Sequence, residues 1–186
     1  MRVISGTARG TTLKTPDGMT TRPTTDRVKE ALFSILQFDL SGRRVLDLFG
    51  GTGQLAIEAL SRGAKSAVLV DAGDAACRLI RENLRRTHFE QAARVVRADY
   101  LTYLGSCRER FDLIFLDPPY AEVFLETALK RIVEIDILQS GGIIATERPL
   151  GKELPVQLPG LIRSKDYRYG KTVLTFYRKE EVQPQP

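Results

Sequence analysis

The fold is decided by the stretch Val45-Leu46-Asp47-Leu48-Phe49-Gly50-Gly51-Thr52-Gly53, in which an apolar run passes directly into a glycine-rich turn. The run Val45–Phe49 predicts a short buried strand, and the residues from about Gln54 to Arg62 predict the helix that follows. Glycines between a strand and a helix allow a tight turn and let the backbone approach a ligand without a Cβ in the way. In open parallel sheets, such loops bind ligands at the carboxyl end of the strand.

The alternation of strand and helix continues after this stretch. Apolar runs predict further strands at Ala67–Val70, Arg94–Arg97, Phe111–Leu116 and Gly142–Thr146, and helical periodicity predicts helices at about Asp74–Thr87 and Val123–Glu134. Short strands separated by helices indicate an α/β protein whose parallel sheet is covered on both faces.

The residues before the first strand predict an extension. Two extended segments, Arg2–Ser5 and Thr11–Thr15, precede a helix from about Asp26 to Phe38, for which Thr24 or Thr25 is the expected cap. At the other end, 161–169 and 172–177 predict a β-hairpin. We therefore expect one domain over 1–186, with an N-terminal hairpin and helix over 1–43, a core over 44–179 and a flexible tail over 180–186.

The composition excludes several classes of protein. No apolar run of the 186 residues approaches the roughly 18 to 20 residues of a membrane span. The two cysteines have neither metal-ligand spacing nor enough partners for a disulfide framework, and the single histidine, His88, is expected to be a surface residue. We expect a cytoplasmic protein without a metal or membrane partner.

Acidic residues stand at four predicted strand ends: Asp47, Asp71, Asp99 and Asp117. Because strand ends of a parallel sheet share one edge, these carboxylates disfavour a phosphate-bearing cofactor there. They favour a cofactor with cationic groups and hydroxyls, such as S-adenosylmethionine. Asp71 is then placed for the ribose hydroxyls, Asp99 for the adenine amine and Asp47 for the amino-acid end. The alternative for any one of them is a helix N-cap.

The most specific segment is Asp117-Pro118-Pro119-Tyr120, directly after the fourth core strand. Two prolines fix the backbone and cannot donate hydrogen bonds, so they form a stiff turn that presents carbonyl oxygens. The Asp117 carboxylate and the Pro118 carbonyl are both acceptors, which suits them to hold the hydrogens of an amino group for attack on a methyl donor. Tyr120 is suited to stack on a base turned out of its helix.

Positive charge is concentrated at the two ends of the chain. Residues 1–44 contain eight Lys/Arg against four Asp/Glu, and residues 160–179 contain six against one, whereas residues 45–159 contain fourteen against sixteen. Basic ends around a near-neutral core suit a polyanionic partner, although ordinary solvated faces would give the same count. The expected phosphate contacts are Arg2, Arg9, Arg22, Arg27, Lys29, Arg163, Lys165, Arg168 and Lys171.

The glycine turn combined with Asp117–Tyr120 resembles the class I methyltransferases that act on amino groups of nucleic-acid bases. The N-terminal segments Arg2–Gly6, Arg9-Gly10 and Arg22–Phe33 narrow this resemblance to the bacterial small-subunit ribosomal RNA guanine-N2 methyltransferases of the RsmD type. Tyr169–Thr172 and Phe176-Tyr177 also fit that family, so the resemblance covers nearly the whole chain.

The resemblance implies a Rossmann-like fold with a seven-stranded, mostly parallel sheet and a last antiparallel strand. It implies transfer of a methyl group from S-adenosylmethionine to the N2 amine of one guanine in small-subunit rRNA, free or within an assembling 30S particle, with a monomer as the default state. It assigns binding of the target amine to Asp117, Pro118, Pro119 and Tyr120. It assigns binding of the cofactor to Asp47, Phe49, Gly50, Gly51, Gly53, Asp71, Ala72, Asp99, Tyr100 and Thr24.

Two positions depart from the family pattern. The family more often has alanine at Gly50 and glutamate at Asp71. A glycine relaxes the turn and an aspartate keeps a shorter carboxylate, so only the ribose geometry is put in doubt.

Three other functions were weighed. Methylation of adenine N6 or cytosine N4, in DNA or another RNA, uses the same amine motif, but the short chain has no separate domain for reading a DNA sequence. A non-catalytic RNA-binding protein on this fold would not need an intact Asp117–Tyr120 motif. A nicotinamide dehydrogenase is disfavoured because Gly50, Gly51 and Gly53 do not follow the G-x-G-x-x-G spacing.

Overall fold

The structure, a computed structural model, describes residues 1–16, 23–119 and 124–180, and for residues 23–25 it describes the backbone only. The helices are α1 (Pro23–Ile35), α2 (Gln54–Ser61), α3 (Asp74–Thr87), α4 (Tyr100–Ser106) and α5 (Phe124–Glu134). The strands are β1 (Arg44–Asp47), β2 (Ser66–Asp71), β3 (Ala93–Arg97), β4 (Phe111–Leu116), β5 (Leu138–Pro149), β6 (Leu161–Arg163), β7 (Tyr167–Tyr169) and β8 (Thr172–Lys179).

The strands form one sheet in the order β3-β2-β1-β4-β5-β8-β6, with β7 also paired to β8. Strands β1 to β5 are parallel, and β8 runs antiparallel to β5. This arrangement confirms the predicted α/β, Rossmann-like class with a mostly parallel sheet.

The sheet has eight strands instead of the seven expected, because the first arm of the C-terminal hairpin is divided into β6 and β7. The division accommodates Asp166. Its carboxylate accepts a hydrogen bond from Thr175 Oγ1 at 2.7 Å and pairs with the guanidinium of the buried Arg148. These contacts to Thr175 and Arg148 hold Asp166 between β6 and β7, where the pairing with β8 is interrupted.

The two faces of the sheet carry separate cores, as alternation of side chains along buried strands requires. On one face, Val45, Leu113, Phe115 and Ala145 pack against α1, α2 and α3. On the other face, residues such as Leu46 and Ile114 pack against α4 and α5. None of the helices in the described residues is long and apolar enough to cross a membrane.

Two helix predictions differ from the structure. Helix α1 begins at Pro23 and ends at Ile35, three residues earlier at each end than predicted. Proline fits the first helical position, so the helix starts before the threonines expected to cap it. Phe38 consequently lies beyond the helix, with 91% of its surface exposed. Helix α4 was missed because it has only seven residues, Gly105 among them.

The N-terminal extension is attached to the core through buried charges. Its two segments pair through a single bridge, Arg2 to Thr12, so the predicted hairpin is minimal. The backbone N–H groups of Ile4 and Ser5 donate to the carboxylate of Glu58 at 2.8 and 3.0 Å. Because Glu58 is fully buried in α2, the extension is fixed to the helix that follows the glycine turn.

Candidate functional site

The glycine turn follows β1 and forms the N-terminus of α2. Gly51 and Gly53 have φ angles of 54° and 80°, a region that favours glycine. Gly50 donates its N–H to the Val70 carbonyl at 2.7 Å, which holds the turn against β2. A Cβ at Gly50 would lie 2.8 Å from Ile80 Cδ1, so the turn is packed closely against α3.

Asp71, at the end of β2, joins the glycine turn to the start of α3. Its carboxylate accepts hydrogen bonds from the N–H of Gly51 at 2.9 Å and from the N–H of Gly73 at 2.8 Å. A carboxylate has about four lone-pair positions, so these two bonds leave Asp71 able to accept further hydrogen bonds from the ribose hydroxyls that it is predicted to bind. Asp71 therefore also shapes the loop.

A second clamp fixes the same turn to the N-terminal extension. The buried Asn83 of α3 donates from Nδ2 to the carbonyl oxygens of Thr52 at 2.9 Å and Lys14 at 3.0 Å. Its Oδ1 accepts the N–H of Lys14 at 2.8 Å. The role of Asn83 was not predictable from the sequence, since an asparagine inside an amphipathic helix carries no distinctive signal.

Three carboxylates lie at the carboxyl ends of adjacent strands on one face of the sheet: Asp47 at the end of β1, Asp117 after β4 and Glu147 in β5. Burial and the charge of Asp117 raise the pKa of Asp47 from 3.8 to about 7. Burial raises the pKa of Asp117 to about 6. Burial and the charge of Asp117 raise the pKa of Glu147 to about 8. Such shifts are typical of functional sites, where acids are held close together.

Buried acceptors without a donor lie in α1, at the end of β1 and at the start of α2. Asp26 Oδ1 in α1, Asp47 Oδ1 and Gln54 Oε1 at the start of α2 are buried and have no hydrogen-bond partner in the described structure. Buried polar atoms are normally satisfied, so these oxygens require donors from beyond the described residues, such as a ligand or water. Their acceptor chemistry fits the ammonium and sulfonium groups of S-adenosylmethionine and does not fit a phosphate.

Aromatic side chains meet on the other side of this edge. The ring centroids of Phe49 and Tyr100 lie 5.3 Å apart, and those of Tyr100 and Phe124 lie 5.5 Å apart. Phe49 and Tyr100 were predicted to bind the cofactor, whereas Phe124 was missed because it lies in the helix after the proline turn. Asp99 caps α4, accepting the N–H of Leu101 at 2.9 Å, so the cap weighed as its alternative role is realised.

Some predicted residues fall outside the described structure. Tyr120 and Arg22 lie outside the described residues, and so does the side chain of Thr24. Pro118 and Pro119 follow Asp117 directly beyond β4, with Pro119 exposed. Ala72 is exposed next to Asp71.

The predicted phosphate contacts divide into exposed and engaged residues. Among them, the exposed ones are Arg2, Arg9, Arg27, Lys165, Arg168 and Lys171. The prediction for Lys29 is wrong, because its side chain is only 2% exposed and its Nζ donates to the Arg2 carbonyl at 2.7 Å beside Glu58. Arg163 is also engaged, since it pairs with Asp166 and donates to the Leu154 carbonyl at 2.8 Å.

Two further exposed basic residues lie in the central part of the chain, outside the predicted set of phosphate contacts. Arg81 and Arg85 are exposed on the outer face of α3, and neither forms an ion pair with a described acid. The net charge of the central region hid them, since a regional count does not separate one helix face from another. Glu147 was not singled out from the sequence, although it follows the predicted strand Gly142–Thr146 as Asp117 follows Phe111–Leu116. The described residues contain no group of His, Cys, Asp or Glu arranged to hold a metal ion.

The chain is similar to known proteins over nearly its whole length. The family model described as conserved hypothetical protein 95 matches residues 1–178. The chain is 40% identical to YlbH of Bacillus subtilis, provisionally named an rRNA methyltransferase, over 96% of this chain and 99% of that protein. It is 31% identical to ribosomal RNA small subunit methyltransferase D of Escherichia coli K12, over 97% of this chain and 90% of that protein.

The solved structures include one of similar shape throughout. The Escherichia coli protein yhhF, provisionally named a methyltransferase, superposes with a TM-score of 0.88 at 31% identity, covering 98% of this chain and 99% of that one.

Proposed function

Given that the chain belongs to the conserved hypothetical protein 95 family, we propose that it methylates the exocyclic N2 amine of a guanine in small-subunit ribosomal RNA, with S-adenosylmethionine as the methyl donor. The proposed partner is the RNA alone or within an assembling 30S particle. The proposed enzyme is a cytoplasmic monomer that uses no metal.

One observation carries the proposal. The glycine turn after β1 and the Asp117-Pro118-Pro119 turn after β4 lie at the ends of neighbouring parallel strands, where Asp47 pairs in register with Phe115. A ligand bound at the first turn therefore lies next to a group held at the second. Asp47 is next to both turns. It is buried, its Oδ1 has no hydrogen-bond partner among the described residues, and the charge of Asp117 raises its pKa.

When bound, S-adenosylmethionine supplies an electrophilic methyl group on a sulfonium. In the proposed mechanism, the Asp117 carboxylate and the Pro118 carbonyl accept hydrogen bonds from the two N–H groups of the target amine. These bonds orient the nitrogen lone pair toward that methyl. As the nitrogen bonds to the methyl carbon, the carbon–sulfur bond would break and its electron pair would stay on the sulfur, which leaves as a neutral thioether. The nitrogen becomes positively charged, and the adjacent carboxylate stabilises this charge. The nitrogen then loses one proton to Asp117 or to water, which leaves a neutral secondary amine.

The basic surface supports a nucleic acid as the substrate. Arg2, Arg9 and Arg27 are exposed on the N-terminal extension and α1, and Arg168 and Lys171 are exposed on the C-terminal hairpin. Phosphate contacts from such residues give affinity without reading sequence. The names of the relatives favour rRNA over DNA for this role.

The test is transfer of radiolabelled methyl groups from S-adenosylmethionine to unmodified small-subunit rRNA, both naked and in assembled particles, followed by nucleoside analysis. N2-methylguanosine is the expected product, and Asp117→Ala is the matched inactive control. Label that enters DNA as N6-methyladenine or N4-methylcytosine, with none in either RNA form, would contradict the proposed substrate.

A further inference from the structure

Glu147 stands beside the proposed amine pocket, but neither the fold nor the mechanism above uses it. In the parallel pair of β4 and β5, Phe115 lies opposite Ala145 and Leu116 opposite Thr146. Asp117 and Glu147 each follow two residues after the Phe115–Ala145 pair. Since side chains alternate along strands, both carboxylates are directed to the face that carries Phe115 and Ala145.

No described residue satisfies the Glu147 carboxylate, which forms neither a hydrogen bond nor an ion pair with the described part of the chain. The neighbouring charge that acts on it is that of Asp117. A half-buried acid next to a second acid, with no cation beside it among the described residues, gains no stabilising ion pair from them.

A second observation indicates that this group of acids faces a ligand. Asp47, on the other side of Asp117, is only 1% exposed, and its Oδ1 has no hydrogen-bond partner among the described residues. The three acids therefore form a row on the adjacent strands β1, β4 and β5, with Asp117, whose charge acts on both others, in the middle. One end of the row faces the glycine turn, and Glu147 forms the other end.

We propose that Glu147 is a specificity residue, which pairs with the Watson–Crick edge of the target base next to the amine held by Asp117 and so favours guanine. This inference rests on the proposed function. Next to its N2 amine, guanine presents the N1–H donor and then the O6 acceptor. Adenine and cytosine each present an acceptor, N1 or N3, next to their amine.

The protonation of Glu147 matches this edge. Because burial and the charge of Asp117 raise its pKa to about 8, Glu147 is largely protonated at pH 7 and offers both a carbonyl acceptor and a hydroxyl donor. Guanine engages both atoms, through N1–H and O6. Adenine and cytosine leave the carbonyl facing another acceptor or without a partner, and unpaired polar groups are what give a site of this kind its discrimination.

The test compares two bases that carry the same amine. Small-subunit RNA is prepared with either guanosine or 2-aminopurine riboside at the methylated position. The second base keeps the N2 amine but has an acceptor at N1 and no O6. The wild-type preference for guanosine, as a ratio of kcat/KM, is then measured for the variants Glu147→Leu and Glu147→Gln. Differences in intrinsic amine reactivity cancel when these ratios are compared between proteins.

We expect Glu147→Leu to lower this preference at least about tenfold, chiefly through slower methylation of guanosine. Glu147→Gln keeps an acceptor and a donor, so its preference should stay within about threefold of wild type. The Tm and the Kd for S-adenosylmethionine are measured for each variant, because a purely structural residue would change these and leave the preference unaltered. Glu153→Leu, at an exposed acid away from the row, is the control.

The two proposals fail in different ways. If wild type produces N2-methylguanosine but Glu147→Leu keeps the wild-type preference, the role of Glu147 is refuted and the proposed function stands. If wild type methylates adenosine or cytidine instead, the proposed function is refuted, and the guanine-specific role of Glu147 is refuted with it.

Discussion

Replacing Asp47 by asparagine should make the cofactor-free protein less sensitive to alkaline pH. Asp47 is 1% exposed, and its pKa is raised from 3.8 to about 7, first by burial and then by the charge of Asp117. The folded protein therefore keeps the proton on Asp47 at pH values at which the unfolded chain has lost it. The contribution of such a group to stability decreases as the pH rises from the unfolded pKa through the folded pKa.

The magnitude follows from the shift. Three pKa units correspond to about 4 kcal/mol at full ionisation, and about 2.5 kcal/mol of this develops between pH 5 and pH 8. Asparagine cannot ionise, so Asp47→Asn lacks this loss. Its amide hydrogens can disturb the local packing, but that effect is the same at both pH values and cancels in the comparison.

The assay is urea unfolding of wild type and Asp47→Asn at pH 5 and pH 8, without cofactor. We expect the free energy of unfolding of the variant, relative to wild type, to increase by about 2.5 kcal/mol from the lower to the higher pH. Glu90→Gln, which alters an exposed carboxylate, is the control and should show no such change. If the free energies of unfolding of wild type and Asp47→Asn differ by the same amount at the two pH values, the raised pKa of Asp47 is refuted.

Further expectations follow for binding and turnover. Asp117→Ala should lower kcat at least about a hundredfold while the Kd for S-adenosylmethionine, measured by calorimetry, changes less than about tenfold; near-wild-type turnover would remove Asp117 from the mechanism. Asp71→Ala should weaken cofactor binding at least about tenfold, because the loss of its bonds to the glycine turn adds to the loss of a ribose acceptor, and an unchanged Kd would contradict both roles. Reversing the charges of Arg9, Arg168 and Lys171 together should weaken RNA binding at low salt and reduce the slope of log K against log salt by roughly two to three; an unaltered slope would place the RNA elsewhere.

The core of the fold was predictable because its strands are short, apolar and separated by strongly periodic helices. The bounds of α3 and β4 agree with the prediction to the residue. The parts that differed depend on tertiary contacts. The division of the last hairpin follows from the ion pair between Asp166 and Arg148, which are 18 residues apart in sequence and separately read as ordinary polar positions.

The site was predictable in outline for a similar reason. Strand ends identify which residues reach the carboxyl edge, and so the glycine turn and Asp117 were found from the sequence. Burial was not predictable in the same way. The sequence predicts Lys29 as a surface cation of a helix, but in the structure its side chain is buried beside the Glu58 carboxylate. Glu147 becomes a candidate site residue only when the register of β4 and β5, which places it beside Asp117, is known.

The close contact between positions 50 and 80 limits how this loop can change over time. A methyl group at Gly50 would lie 2.8 Å from Ile80 Cδ1, a clash that a shorter or differently oriented side chain at position 80 relieves. The two sites are therefore epistatic: an alanine at position 50 is accepted readily once residue 80 has shrunk, and resisted before. Lineages with alanine in the turn should carry a smaller or differently branched residue at position 80. The residue at position 50 thus depends on which side chain α3 already carries at position 80, as well as on the ligand that the loop binds.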